Sequence, residues 1–315
     1  SGTNGSFSCP GSGGSSERFG SGASAAGVDS IAIGNSASAG VGNTIVIGKS
    51  SSISYQSGWI IIGNSNALAP STGGGNGIFI GRQITLNSTN AANSVTLGDL
   101  ARGDASAVTL GNSALGSRCA VTIGASVSAS NGSSVVIGSS ATGGGGVTVV
   151  IGTSASGGTN QGVVIGSSAS SGDQLSTVIG SSASAPSGSF ASVAIGSGST
   201  TTGTQQFVSG SNGYPIANVY FGKGVTNASP TTYTINGTGG TGTDILGGAI
   251  AIAGGKGTGA GNVGVVQLQA ATSKLATGST VHTNSTILQI GNTHSAQVGL
   301  TGAFLSQPAL TYTDR

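Results

Sequence analysis

The sequence predicts an all-β chain dominated by a parallel solenoid of about twelve rungs, each 13–18 residues long, and three observations carry this reading. A tetrad of the form apolar-x-apolar-Gly recurs along the chain, ending at Gly34, Gly48, Gly63, Gly81, Gly98, Gly111, Gly124, Gly138, Gly152, Gly166, Gly180 and Gly196. The spacing, near 14 residues, is too short for two helices and a turn but suits two strands of about five residues joined by tight turns. The composition is that of an ordered repeat: 61 of the 315 residues are Gly, yet the net charge is only +2 and Val and Ile recur in regular clusters. Disorder is associated with high net charge and few β-branched residues.

Residues 1–20 read as an N-terminal attachment or capping segment. Their opening, SGTNGSFSCPGSGG, lacks the basic start and apolar stretch of a secretory signal. Residues 21–206 hold the repeats. In each tetrad the first and third residues are large and apolar, as in Ile31/Ile33, Val135/Ile137 and Val163/Ile165, with Thr177 the exception. Alternation at period two places them on one face of a strand, expected to be the face that fills the rung. The small-residue run that follows, such as NSASAG or SSATGG, supplies the facing strand, with Ala37 and Ala39 as examples. The tetrad glycines are expected at rung corners, where a positive φ or a close backbone approach is needed. Rungs about 4.8 Å apart make a rod of roughly 55 Å, and stacking is what gives such a repeat a continuous core.

The middle residue of each tetrad is expected to face away from that core. It reads Ala32, Val46, Ile61, Phe79, Thr96, Thr109, Thr122, Val136, Val150, Val164, Val178 and Ala194. A sheet face that meets water alternates to polar residues, and an outward stripe this apolar would form a large exposed patch. The stripe is therefore expected to be buried against two further copies of the chain, as a parallel homotrimer.

From Phe207 the pattern changes. Residues 207–271 alternate apolar and small residues with Gly turns, which suggests a Gly-rich β module, and residues 272–315 read as a C-terminal β segment.

The motifs NSVTLG, DSIAIGNSASAG and SSVVIGSSATGG resemble the head repeats of trimeric autotransporter adhesins, the YadA-like left-handed parallel β-roll. The likeness covers roughly residues 21–206 and draws its specificity from the number of repeats. It implies a trimeric extracellular rod that forms or presents an adhesive surface. The stretch GGAIAIAGGKGTGAGNVGVVQLQ, within residues 214–271, resembles a segment common in tail fibres and tailspikes of tailed bacteriophages. Together the two likenesses imply an external fibre of a virion, partnered by other fibre, tail or baseplate proteins and by a host-surface receptor. The alternatives are a passenger of a bacterial trimeric adhesin, displayed on the cell surface, and a capsid decoration fibre without an essential receptor. A phage fibre is expected to need no secretory signal, because virions assemble in the host cytoplasm, whereas the signal, heptad stalk and membrane β-barrel segment expected of an autotransporter are not read in these residues.

Little in the sequence points to catalysis, and the expectation is a protein that is not an enzyme and holds no cofactor or metal. Gly259-Ala260-Gly261-Asn262-Val263-Gly264 fits a dinucleotide-binding pattern, but that motif works only between a strand and a helix, and VVQLQ follows it. Gly255-Lys256-Gly257 lacks the Ser/Thr and the upstream Gly of a phosphate-binding loop. His282 and His294 have no nearby Cys, and one Glu (Glu17) and six Asp supply paired carboxylates poorly. Cys9 and Cys119 read as free thiols, with no metal-binding spacing. The cations are scattered singly, so nucleic-acid binding is not expected, and no apolar run approaches the length of a membrane span. Tyr214, Tyr220, Tyr233 and Tyr312 are the candidate receptor contacts, since binding surfaces favour aromatic anchors; the competing reading is that they plug the ends of β modules. Trp59 is expected to pack against a corner loop. Thr96, Thr109 and Thr122 make too short an array for an ice-binding face. Arg102-Gly103-Asp104, an adhesive tripeptide in other settings, is expected to be a corner between two strands, where Gly and Asp suit a turn.

Overall fold

A computed structural model describes residues 10–55, 57–66, 75–86, 93–130, 132–158, 160–221, 228–229, 232–271, 283–291 and 295–298. Cys9, His282, His294 and Tyr312 lie outside them. Among the described residues there is no helix, and the chain divides into two units, 1–219 and 220–315.

The first unit is the expected parallel solenoid. Its main wall is a 14-stranded sheet whose strands follow one another in chain order. Every step is parallel and in register by tetrad: Val121, Thr122 and Ile123 pair with Val135, Val136 and Ile137, which in turn pair with Val149, Val150 and Ile151. Twelve of the strands are the tetrads. The other two, Glu17–Phe19 and Phe207–Ser209, extend the stack at its two ends. The opposite wall is built from two-residue strands such as Ser38–Ala39, Ser128–Ala129 and Ser184–Ala185. Single bridges at Leu115, Ser156 and Thr200 continue it between strands.

Two kinds of corner close each rung. After the tetrad Gly a tight turn follows, whose second residue has positive φ, as at Ser140, Ser154 and Ser168 (54–55°). Two residues before the next tetrad lies another, as at Asn43, Cys119 and Gln161. Ser or Thr then precedes most strands, fully buried, and its hydroxyl satisfies a corner carbonyl. Ser30 Oγ donates to Gly27 O at 2.7 Å, Ser134 Oγ to Gly146 O at 3.0 Å, and Ser192 Oγ to Gly203 O at 2.9 Å. A buried corner carbonyl without such a donor would carry a desolvation penalty.

The interior corrects the expected orientation of the tetrads. Ala32, Val46, Ile61, Phe79, Thr96, Thr109, Thr122, Val136, Val150, Val164, Val178 and Ala194 are all 0% exposed. They face into the roll, against the alanines of the opposite wall. The larger first and third residues point out of it. The physical reason is volume. The two walls approach so closely that a Cβ added to Gly143 or Gly157 would come within 2.6 Å of Val136 Cγ2 or Val150 Cγ2. Ala, Val and Thr fit that gap, whereas two Ile per strand would not.

Where the rungs are longest, a wider core admits larger side chains. Trp59 and Phe79 stack with ring centroids 5.3 Å apart, both buried, next to Ile84. Trp59 thus belongs to the interior and not to a corner loop. Asn66, fully buried, ties this region together. Its Nδ2 donates to Gly81 O at 2.8 Å and its Oδ1 accepts from Ile84 N at 2.9 Å.

Thr96, Thr109 and Thr122 stack on neighbouring strands, and their buried hydroxyls have no hydrogen-bond partner. Thr109 Oγ1 lies over Gly116 as Val136 Cγ2 lies over Gly143, so a valine methyl occupies the equivalent place two rungs on. Thr109→Val is therefore expected to stabilise the roll, by about 1 kcal/mol, through removal of a buried unpaired hydroxyl. Thermal unfolding of the variant checks this: its midpoint should rise.

In the second unit the strands Val266–Ala271, Asn284–Gly291 and Ser295–Val298 form an antiparallel sheet. Residues 207–271 read as a Gly-rich β module; among the described residues of that range, strands lie at its two ends, with Phe207–Ser209 belonging to the roll. Between them, isolated backbone bonds such as Gly248 N to Thr238 O and Gly264 N to Gly255 O hold turns. Alternation in so Gly-rich a stretch marks the spacing of apolar residues, but it does not supply the neighbouring strand that a ladder needs.

Candidate functional site

The outward face of the 14-stranded sheet carries the first and third residues of every tetrad in two continuous columns. One runs Ile31, Ile45, Ile60, Ile78, Val95 and on to Val193; the other runs Ile33, Ile47, Ile62, Ile80, Leu97 and on to Ile195. Only Thr177 breaks them. None of these side chains is buried, and Ile33, Ile123, Ile151, Ile179 and Ile195 are 36–38% exposed. The face is about 55 Å long and two side chains wide, on the order of 500 Å² of contiguous apolar surface. That is at the upper end of what a monomeric soluble protein leaves uncovered. Neither column contains a charged side chain between Ile31 and Ile195.

The glycine column runs along one edge of this face. The twelve tetrad glycines have φ between +116° and +149°. A Cβ on Gly152 would lie 2.6 Å from the carbonyl carbon of Gly166 in the next rung and closer still to its oxygen. The turn that follows the strand begins at this glycine.

Tyr214, Tyr220 and Tyr233 are 69, 60 and 53% exposed. Tyr233 lies flat on Phe221, with centroids 4.0 Å apart and planes 4° from parallel. Arg102-Gly103-Asp104 is not the expected corner. Arg102 and Gly103 form an opposite-wall strand paired with Thr85 and Leu86. Gly103 faces inward over Thr96 Oγ1, where the absence of a side chain is what lets the threonine fit. Asp104 is only 8% exposed and accepts from Ala105 N at 2.6 Å, so the tripeptide does not present its acid to solvent. The loop Gly259–Gly264 is followed by the strand Val266–Ala271 and not by a helix. Among the described residues, no group of three or more His, Cys, Asp or Glu could hold a metal ion, and Cys119 is a free, exposed thiol at a corner.

Sequence patterning located the strands of this face but assigned it to the interior. It also missed the two end rungs. Their signal was present, since Gly20 and Gly210 stand 14 residues before Gly34 and 14 after Gly196. The residues before them, Glu-Arg-Phe and Phe-Val-Ser, depart from the apolar-x-apolar form because a terminal strand has a neighbour on one side only.

Fold and face define the first unit as a parallel β-solenoid with one uncovered apolar wall. Among solved structures, the chain is similar to the collagen-binding domain of the Yersinia adhesin YadA, with 19% identity, covering 55% of this chain and 78% of that one, at a TM-score of 0.28. No protein-family model and no curated protein matches the chain.

Proposed function

We propose that the protein is a structural and adhesive fibre, a parallel homotrimer whose three rolls meet along the outward apolar face. The observation that supports it is the pair of apolar columns, interrupted only at Thr177, that run the length of the roll. A parallel, cyclic arrangement sets each rung beside the same rung of the next copy. The Val-rich column of one chain then packs against the Ile/Leu-rich column of its neighbour, and the ring closes. With the middle residues inside each roll, the contact between chains falls to the flanking residues of the tetrads.

The test is Ile137→Asp with Ile151→Asp. Both residues are only half-buried and lie outside the core, so the roll is retained while two charges fall on the shared face. The expected result is a fall from three chains to one in sedimentation equilibrium, with an unchanged far-ultraviolet spectrum. An unchanged three-chain mass would sink the proposed interface.

The finer reading places the fibre on a tailed bacteriophage, contacting the host surface through a receptor still to be identified. Its support is the resemblance of residues 214–271 to phage tail-fibre segments. The repeats equally support a passenger of a bacterial trimeric adhesin. Immunogold labelling with an antibody against the chain separates the two: label on virion tails supports the phage fibre, and label on intact bacterial cells supports the adhesin. Label confined to capsids would point to a decoration fibre.

A further inference from the structure

Among residues 220–221, 228–229, 232–270 and 283–290 of the second unit, no side chain is buried. Its apolar residues are nevertheless numerous: Ile245, Ile250 and Ile252 are 59, 48 and 67% exposed, and Leu246 is 92% exposed. A segment that buries nothing cannot offset the entropy of its own ordering. The antiparallel sheet shows how that core is to be completed, because its two faces differ sharply. On one, Gln267 Nε2 donates to Gln289 Oε1 at 2.7 Å and Gln269 Nε2 to Gln267 Oε1 at 3.0 Å, a polar ladder suited to water. On the other, Val266 stands across from Ile290 and Leu268 across from Leu288, with Leu268 and Ile290 55 and 54% exposed.

We propose that this apolar sheet face is covered by the same face of two further copies of the chain, so that the second unit builds its core in trans. This rests on the trimeric reading of the roll. Three parallel rolls tether three identical sheets to one another, which raises their effective concentration without any new contact, and in a cyclic assembly like elements meet around the axis. Charge argues the same way. Residues 232–271 and 283–291 carry only Asp244 and Lys256, which leaves a dissimilar partner little to be steered by. The two units then differ in kind: the roll has its core within one chain, and the second unit acquires one only on assembly.

The experiment compares the full chain with a Leu268→Asp, Ile290→Asp double variant by hydrogen–deuterium exchange and sedimentation mass. Both substituted residues are exposed within a single chain, so the variant loses no core of its own. The wild type should show a three-chain mass, with peptides from 245–271 and 283–290 exchanging at least about 100-fold more slowly than unstructured chain. The variant should keep the three-chain mass through its roll and lose that protection, while the roll peptides stay protected. Protection unchanged in the variant overturns the proposal, as does absence of protection in a three-chain wild type; the roll interface stands in both cases. A one-chain wild type overturns the roll interface, and with it the assignment of the cover to further copies.

Discussion

Val136→Asp is expected to break the roll at its centre. Val136 is fully buried, paired in register with Thr122 on one side and Val150 on the other, and packed over Gly143. No cation lies on these strands or on the facing wall beside them, so an aspartate there is an unpaired charge in an apolar slot. The cost is about 4 kcal/mol or more, a large part of the roughly 5–15 kcal/mol that holds a typical domain folded. In a stack where each rung leans on its neighbours, the damage spreads to the rungs on either side. Hydrogen exchange should show protection lost from about residue 121 to 151, together with a lowered thermal midpoint. Ile137→Asp places the same charge one residue further on and should leave the fold intact, because that side chain points out of the roll. If the two variants exchanged phenotypes, with Val136→Asp folding normally and Ile137→Asp unfolding, the inward assignment of the middle residue would be wrong.

Gly152→Ala is expected to cost nearly as much, about 3 kcal/mol or more, through a single methyl group. The backbone there has φ of +145°, a conformation that L side chains rarely adopt, and the added Cβ would press on the Gly166 carbonyl of the next rung. Neither atom can yield, since Gly166 N itself bonds to Ile151 O at 2.8 Å and holds the two rungs in register. Chemical denaturation is the direct measurement. Ser154→Ala, at the exposed corner two residues on, is the control and should cost less than half as much. A Gly152→Ala chain as stable as its parent would show that the glycine column is not a packing requirement.

Much of the fold was legible because one feature, the tetrad, states its own period. Strand positions, parallel pairing and the glycine column all follow from a strand-turn unit repeated near every 14 residues. The corner hydroxyls were written in the same pattern, as the Ser or Thr before most strands, but their role became visible only with their acceptors, such as Gly27 O for Ser30. The second unit was less legible. Its apolar alternation is genuine, yet a ladder forms only where a partner strand lies alongside, and between Ser209 and Val266 the described part of the chain supplies none.

The sequence by itself determined that the chain is a stacked parallel β repeat with little charge, and that most tetrad strands are apolar on both faces. It could not say which face is inside. Period-two alternation separates two faces but does not rank them when both are apolar, and Val136 and Ile137 look alike on any hydrophobicity scale. The tertiary structure decided it by size. The gap between the walls accepts Ala, Val and Thr and refuses paired Ile, so the larger side chains of Ile33, Ile137 and Ile195 are left on the outside, where only another molecule can cover them.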